Sequence, residues 1–172
     1  MSTHIGHVVF SSFYQLRRIC AIRKSIPTSN AVQLVNSFVV SRVDYCNCLL
    51  AGLPACQLNR VQAILNSVAR LVYGRRNNEY VTPLLRHKLH WLRIRERVQF
   101  KCCLLVYKAL NGLAPTYIAN FCSRVADVPD RSSLHSAAHH QLVVPSRISK
   151  FGDRSFSMAG PIAWHMLPEY IK

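Results

Sequence analysis

The chain has 172 residues, half of them apolar, which is enough for one ordinary domain or two small ones with a buried core and argues against wholesale disorder. Its 22 Lys and Arg stand against 7 Asp and Glu, a formal charge of +15 with every His neutral. That imbalance points to a polyanionic partner and leaves little for chemistry built on clustered carboxylates.

From His4 to about Lys24, Ile5, Val8, Val9, Phe13, Leu16, Ile19 and Cys20 recur at helical spacing, and Pro27 closes the stretch. A second helix is expected from Thr28 or Ser29 as N-cap to about Leu50, with Phe38, Val39, Tyr45, Cys46 and Leu49 among its core-facing residues; Gly52-Leu53-Pro54 stops it. A third, roughly 55–72, buries Leu58, Val61, Ile64, Leu65, Val68 and Leu71 and ends at Gly74. Its opposite side, Asn59, Arg60, Gln62, Asn66, Ser67 and Arg70, contains no acid. Thr82-Pro83 opens a short helix toward His87, and the longest regular stretch follows over about 92–111, ended by Gly112 with Pro115 beyond. After a short helix near 116–122, residues 123–141 read as a loop or linker. In the C-terminal segment 142–172, Leu142-Val143-Val144 is a candidate strand and 151–172 is apolar enough to dock back on the helical part. The expected fold is therefore mainly α: a helical bundle over 4–122 with an irregular extension.

On a wheel at about 100 degrees per residue, Arg93, Arg97, Lys101 and Lys108 fall within roughly 80 degrees of one another, a narrow basic stripe suited to phosphate contact. A solvated helix face is the alternative, but few acids are placed to neutralise the stripe. Arg17, Arg18, Arg23, Lys24, Arg75 and Arg76 cluster at helix ends, where the helix dipole also favours them. The amides and guanidiniums of the third helix, Arg60 and Arg70 included, suit groove edges and sugars, or simply water. Arg42 falls by the wheel among Phe38, Tyr45 and Leu49 on an apolar side, where it needs a structural ion pair or a fork to carbonyl oxygens.

The seven Cys, odd in number and including the adjacent Cys102 and Cys103, make a poor disulfide framework, so an intracellular, reduced setting is expected. No secretory signal opens the chain, and no apolar run approaches the ~18 residues of a membrane span. His4-x-x-His7, His87-x-x-His90, His139-His140 and Cys46-x-Cys48 lack the second pair a zinc site needs, so no metal site is expected. Asp127 and Asp130 are the nearest acids to each other and sit in a loop, not in the strand setting of a two-metal carboxylate pair. No phosphate-binding Gly loop, Gly-x-Ser-x-Gly or His-Glu-x-x-His is present, and no active site, small-molecule substrate or cofactor of the chain's own is expected.

The string Ser41-Arg42-Val43-Asp44-Tyr45-Cys46-Asn47-Cys48-Leu49-Leu50-Ala51-Gly52-Leu53-Pro54 resembles a signature that follows the catalytic palm in reverse transcriptases of jockey-like non-LTR (LINE) retrotransposons. Further segments are similar to that family in its own order. These are the helix Leu58 to Leu71, Val81-Thr82-Pro83-Leu84-Leu85, Leu89-His90-Trp91-Leu92, Phe100-Lys101, Tyr107 to Tyr117, Val143-Val144-Pro145, Phe151 to Ser157, and Pro161 to Pro168 with Trp164. The chain departs from it at Arg93, where the family usually has Pro, and at Val68, where it usually has Ala.

The resemblance implies a thumb-like helical domain that grips a template-primer duplex, then a truncated post-thumb region. The fingers, the palm with its Ala-Asp-Asp metal ligands and any endonuclease are absent from it. It implies a catalytically incomplete fragment of an RNA-directed DNA polymerase whose parent family uses Mg. RNA or an RNA-DNA duplex is the expected partner, with a missing or separate palm as a second, in the nucleus or a cytoplasmic ribonucleoprotein. The alternatives are a protein-interaction module, or a translated remnant with no selected function. In this frame Arg42, Asp44, Tyr45, Trp91 and Trp164 are expected to be structural.

Overall fold

A computed structural model describes residues 2–129, 141–145 and 155–172. Asp130, His139, His140 and the segment Phe151 to Arg154 of the resemblance lie outside the described residues. The fold is mainly α, and its contacts divide it into two units, each discontinuous in sequence. Unit 1 holds the chain up to Asn47 together with Leu53–Arg97, and unit 2 holds Cys48–Gly52 and everything from Val98 onward. The division therefore falls inside the longest expected helix, not near residue 122.

Unit 1 contains α1 (Ser2–Ile22), α2 (Thr28–Val35), α3 (Ser41–Asp44) and α4 (Ala55–Tyr73). Helix α1 packs along α4, and α2 meets both. The apolar faces set by the 3.6-residue period supply the core: Ile5, Leu16 and Ile19 from α1, Ala31 and Val35 from α2, and Ile64, Leu65, Val68 and Val72 from α4 are buried. Each of the Val, Leu and Ile side chains contributes roughly 1.5–3 kcal/mol by leaving water. Gly74 ends α4 in the left-handed conformation, with its N–H and that of Arg75 both returned to the Arg70 carbonyl.

The helix expected over 28–50 is interrupted twice. A π-helical turn, Asn36–Val40, joins α2 to α3 and adds a residue to the turn, so the buried face passes through Val39, Val40 and Val43 instead of Phe38 and Arg42. The chain then leaves the helix at Tyr45, whose backbone is extended, and Cys46 takes a left-handed φ of 51°. Tyr45 is consequently 73% exposed, and Phe38, Cys46 and Leu49 are exposed with it.

Helix α5 (Ile94–Leu110) contributes its first turn to unit 1 and the rest to unit 2. In unit 2, α6 (Thr116–Ala119) and α7 (Phe156–His165) accompany it. Val106, Ala109, Cys122, Leu142 and Trp164 form one buried cluster, with Phe156 and Leu167 against it. Gly160 permits the close approach, because a Cβ there would stand 3.1 Å from both Val106 Cγ2 and Phe156 Cε2. The candidate strand at Leu142 is an isolated antiparallel bridge to Arg124, flanked by Val125 N–H to the Gln141 carbonyl and Val143 N–H to the Ser123 carbonyl, each 2.9 Å.

The Leu142 N–H donates to His165 Nε2 at 3.0 Å, a bond that needs the lone pair of a neutral ring. Burial, reinforced by the nearby Lys172 ammonium, holds the His165 imidazole below its ordinary 6.5. Between the lowered folded value and the unfolded one the unfolded chain binds more protons, so stability rises with pH there. The His165 contribution is full above about pH 6.5 and is lost as pH falls through the folded value. Melting temperatures followed by Trp fluorescence should therefore drop on acidification from pH 7.5 to 5, and His165→Asn should reduce that drop; an equal drop in the variant would assign it to other groups.

Candidate nucleic-acid interface

The first turn of α5 is held by side chains before it is held by its own ladder. The Glu96 carboxylate accepts the Arg93 N–H at 3.0 Å, and Gln62 Oε1 of α4 accepts the Ile94 N–H at 2.8 Å. Two donors that the helix itself cannot satisfy are thus satisfied by side chains, an arrangement worth about 1 kcal/mol for a good cap. Gln62 is buried in that role and its Nε2 donates to Asn66 Oδ1 at 2.9 Å, so it offers nothing to a groove edge.

One turn later Arg97 departs from the expected stripe. Its Nη1 donates to both oxygens of Asp44, at 2.8 and 2.7 Å, and its guanidinium carbon lies 5.7 Å from the centre of the Trp91 ring. The Arg97 side chain is 11% exposed and that of Asp44 31%. Asp44 also accepts from Asn47 Nδ2 at 3.4 Å. Arg97, expected in the basic stripe, is a structural cation in this fold, its charge met by a carboxylate 53 positions away in the chain.

Arg23 makes the fork to carbonyl oxygens that is one expectation for Arg42. Its guanidinium donates to the carbonyls of Leu71 at 3.2 Å, Val72 at 2.6 Å and Ile26 at 3.0 Å, and to Thr28 Oγ1 at 3.0 Å, closing the C-terminal end of α4. Arg42 is exposed. Arg70 is half-buried and donates to the Glu79 carbonyl at 3.4 Å, while Arg75 pairs with the Glu79 carboxylate at 3.1 Å. Arg60 is exposed and donates to Gln57 Oε1 at 3.2 Å. Arg76, Arg17 and Arg18 are exposed as well, Arg18 resting 5.9 Å from the centre of the Tyr14 ring. Trp91 is half-buried and Trp164 buried.

Several cations of unit 1 surround Glu96. A cleft of about 380 Å³ is lined by Asn59, Gln62, Arg93, Ile94, Arg95 and Glu96, and a second of about 450 Å³ by Arg86, His90, Trp91, Leu92 and Glu96. Glu96 spends its charge on Arg86, at 3.2 Å, and on the Arg93 N–H. Among the described residues no acid pairs with the Arg93 or Arg95 side chain. Arg95, Arg86 and His90 are additions to the expected set; the alternating run Arg93-Ile94-Arg95-Glu96-Arg97 was the available signal, but alternation on a helix sends Arg95 about 200 degrees from Arg93.

In unit 2, Lys108 is exposed and Lys101 half-buried, again with no acidic partner among the described residues. The neighbouring Cys102 thiol, with the Lys101 charge assisting, holds Cys48 below its ordinary value against the opposing effect of burial; Cys102 itself is pushed up. Among the described residues no group of three or more His, Cys, Asp or Glu is placed to hold a metal, and no helix is long and apolar enough to cross a membrane. Comparison with known protein families, curated proteins and solved structures finds no match to this chain.

Removing the Asp44 carboxylate leaves an enclosed guanidinium without its counter-charge. Asp44→Ala should cost about 2–3 kcal/mol in urea unfolding, and Arg97→Met, which keeps the apolar stem, should cost less. A loss below about 0.5 kcal/mol for Asp44→Ala would place the pair among ordinary surface contacts. The thiolate, not the thiol, is the nucleophile, so maleimide mapping near pH 7 should modify Cys48 ahead of Cys102, Cys103 and Cys122, and Lys101→Ala should slow it. Equal rates at all four would remove the Lys101 effect.

Proposed function

We propose that this chain is a catalytically incomplete segment of a jockey-like non-LTR retrotransposon reverse transcriptase, retaining sequence-tolerant binding of RNA or an RNA-DNA duplex through its backbone phosphates. The single observation that carries the reading is that Arg93 and Arg95 in unit 1, and separately Lys101 and Lys108 in unit 2, have no acidic partner among the described residues. The ordered series of motifs from Ser41 to Pro168 supports the family assignment. On this reading polymerisation and its Mg belong to a palm that the motifs here would follow, and the cations serve to hold the nucleic acid. Neutralising phosphates releases condensed counterions, so affinity falls steeply with salt.

A second reading, a protein-interaction module, draws on the exposed Phe10 and Tyr14 of α1, which stand one helical turn apart. Light scattering that shows a clean monomer at tens of micromolar would count against it.

The proposal is tested by titrating the whole chain against an RNA-DNA hybrid at several salt concentrations. A linear loss of log affinity with log salt is expected. Replacing Arg93, Arg95, Lys101 and Lys108 together with Gln should make the slope shallower by about 3 to 4. Binding that ignores salt, or a slope unchanged in the fourfold variant, would overturn it.

A further inference from the structure

We infer that the outward side of α5 within unit 2 is a stacking platform for single-stranded nucleic acid, with bases on Phe100 and Tyr107 and the strand's phosphates on Lys101 and Lys108. The inference deepens the reading above and rests on it, since both need a nucleic acid as the polyanion.

The sequence repeats an aromatic-Lys pair at a seven-residue interval, Phe100-Lys101 and Tyr107-Lys108. Seven residues are about 20 degrees short of two turns, so the two rings share one face roughly 10.5 Å apart, and each Lys lies about 100 degrees around the helix from its ring. The opposite side of the same stretch is committed to the interior: Val98, Cys102, Val106 and Ala109 are buried, and Cys103, between the two rings in the helical stripe, is 9% exposed. Phe100 is nevertheless 52% exposed and Tyr107 51%.

A face that only neutralised phosphates would gain nothing from two rings. The flat, half-exposed ring beside a cation is instead what an unpaired base recognises, since every base has a π-face while the phosphate beside it needs a charge. Bases inside a duplex already stack on each other and cannot reach these rings, so the platform selects a single strand. An acidic counter-surface on a protein would satisfy the two Lys but not the rings, and an apolar one would leave both ammonium groups desolvated.

Anisotropy titrations of the full chain with a labelled uridine oligonucleotide and with an RNA-DNA hybrid test this. Phe100→Ala combined with Tyr107→Ala should weaken single-strand binding at least tenfold, leave its salt slope unchanged and leave hybrid binding unchanged; Phe100→Trp with Tyr107→Trp should retain single-strand affinity. Lys101→Gln with Lys108→Gln should instead make the salt slope shallower. Single-strand affinity within twofold of wild type in the double-Ala variant overturns the platform, as does binding of the hybrid alone. Self-association abolished by the double-Ala change also overturns it, in favour of a protein contact. Failure of the unaltered chain to bind either nucleic acid at low salt overturns the parent reading as well, so the two failures are distinguishable.

Discussion

A guanidinium withdrawn from water must meet its charge inside the fold, and unit 1 is arranged around that requirement at Arg97. Asp44 supplies the charge and Trp91 a ring face, so the end of α3 and the segment ahead of α5 must both converge on one side chain. The backbone shows the cost of that convergence. Among the described residues the two non-glycine positions with positive φ are Cys46 and His90, two residues after Asp44 and one before Trp91. A left-handed conformation costs roughly 1–2 kcal/mol at such residues and persists only where surrounding contacts over-determine it. The caps from Gln62 and Glu96 fix the same turn from the other side, which leaves the start of α5 little freedom in unit 1.

That arrangement changes what the charge imbalance means. Asp44, Glu79 and Glu96 all serve local structure: a structural ion pair, a loop closure through Arg75 and the Arg76 N–H, and a helix cap. Acids used in this way do not neutralise the surface. Positive charges not answered within the fold attract phosphates at long range and hold them by counterion release, whatever the base sequence.

Periodicity alone carried α1, α4 and α5, because each has an apolar stripe at 3.6-residue spacing and the latter two a glycine that ends them in a left-handed turn, Gly74 and Gly112. It failed where the backbone departs from that period. The π turn over Asn36–Val40 rotates α3 relative to α2, so a wheel drawn at constant pitch buries both Arg42 and Tyr45, the reverse of their placement. Helix α7 was hidden by Gly160 and Pro161 at its middle, residues that lower helix propensity, and Gly160 here serves a close approach to Val106. For the candidate site, the wheel put Arg97 among the basic residues correctly by angle and could not see Asp44, since nothing local marks a partner so distant in sequence. The same blindness concealed Arg23 at the end of α4 and Gln62 under the first turn of α5.

The division of labour between the two kinds of cation comes from their chemistry. The positions that close the fold, Arg23 and Arg97, are arginines, whose planar fork reaches several carbonyl or carboxylate oxygens at once and tolerates partial burial. The cations beside the rings of α5 in unit 2 are lysines, compact charges on flexible stems that stay hydrated and settle on a phosphate without prescribing its orientation. A surface of lysines and rings therefore lacks the fixed donor geometry that bidentate base reading requires. On the proposed reading its affinity would arise from charge and stacking, both available from any nucleotide, so such a face would hold a strand without reading it.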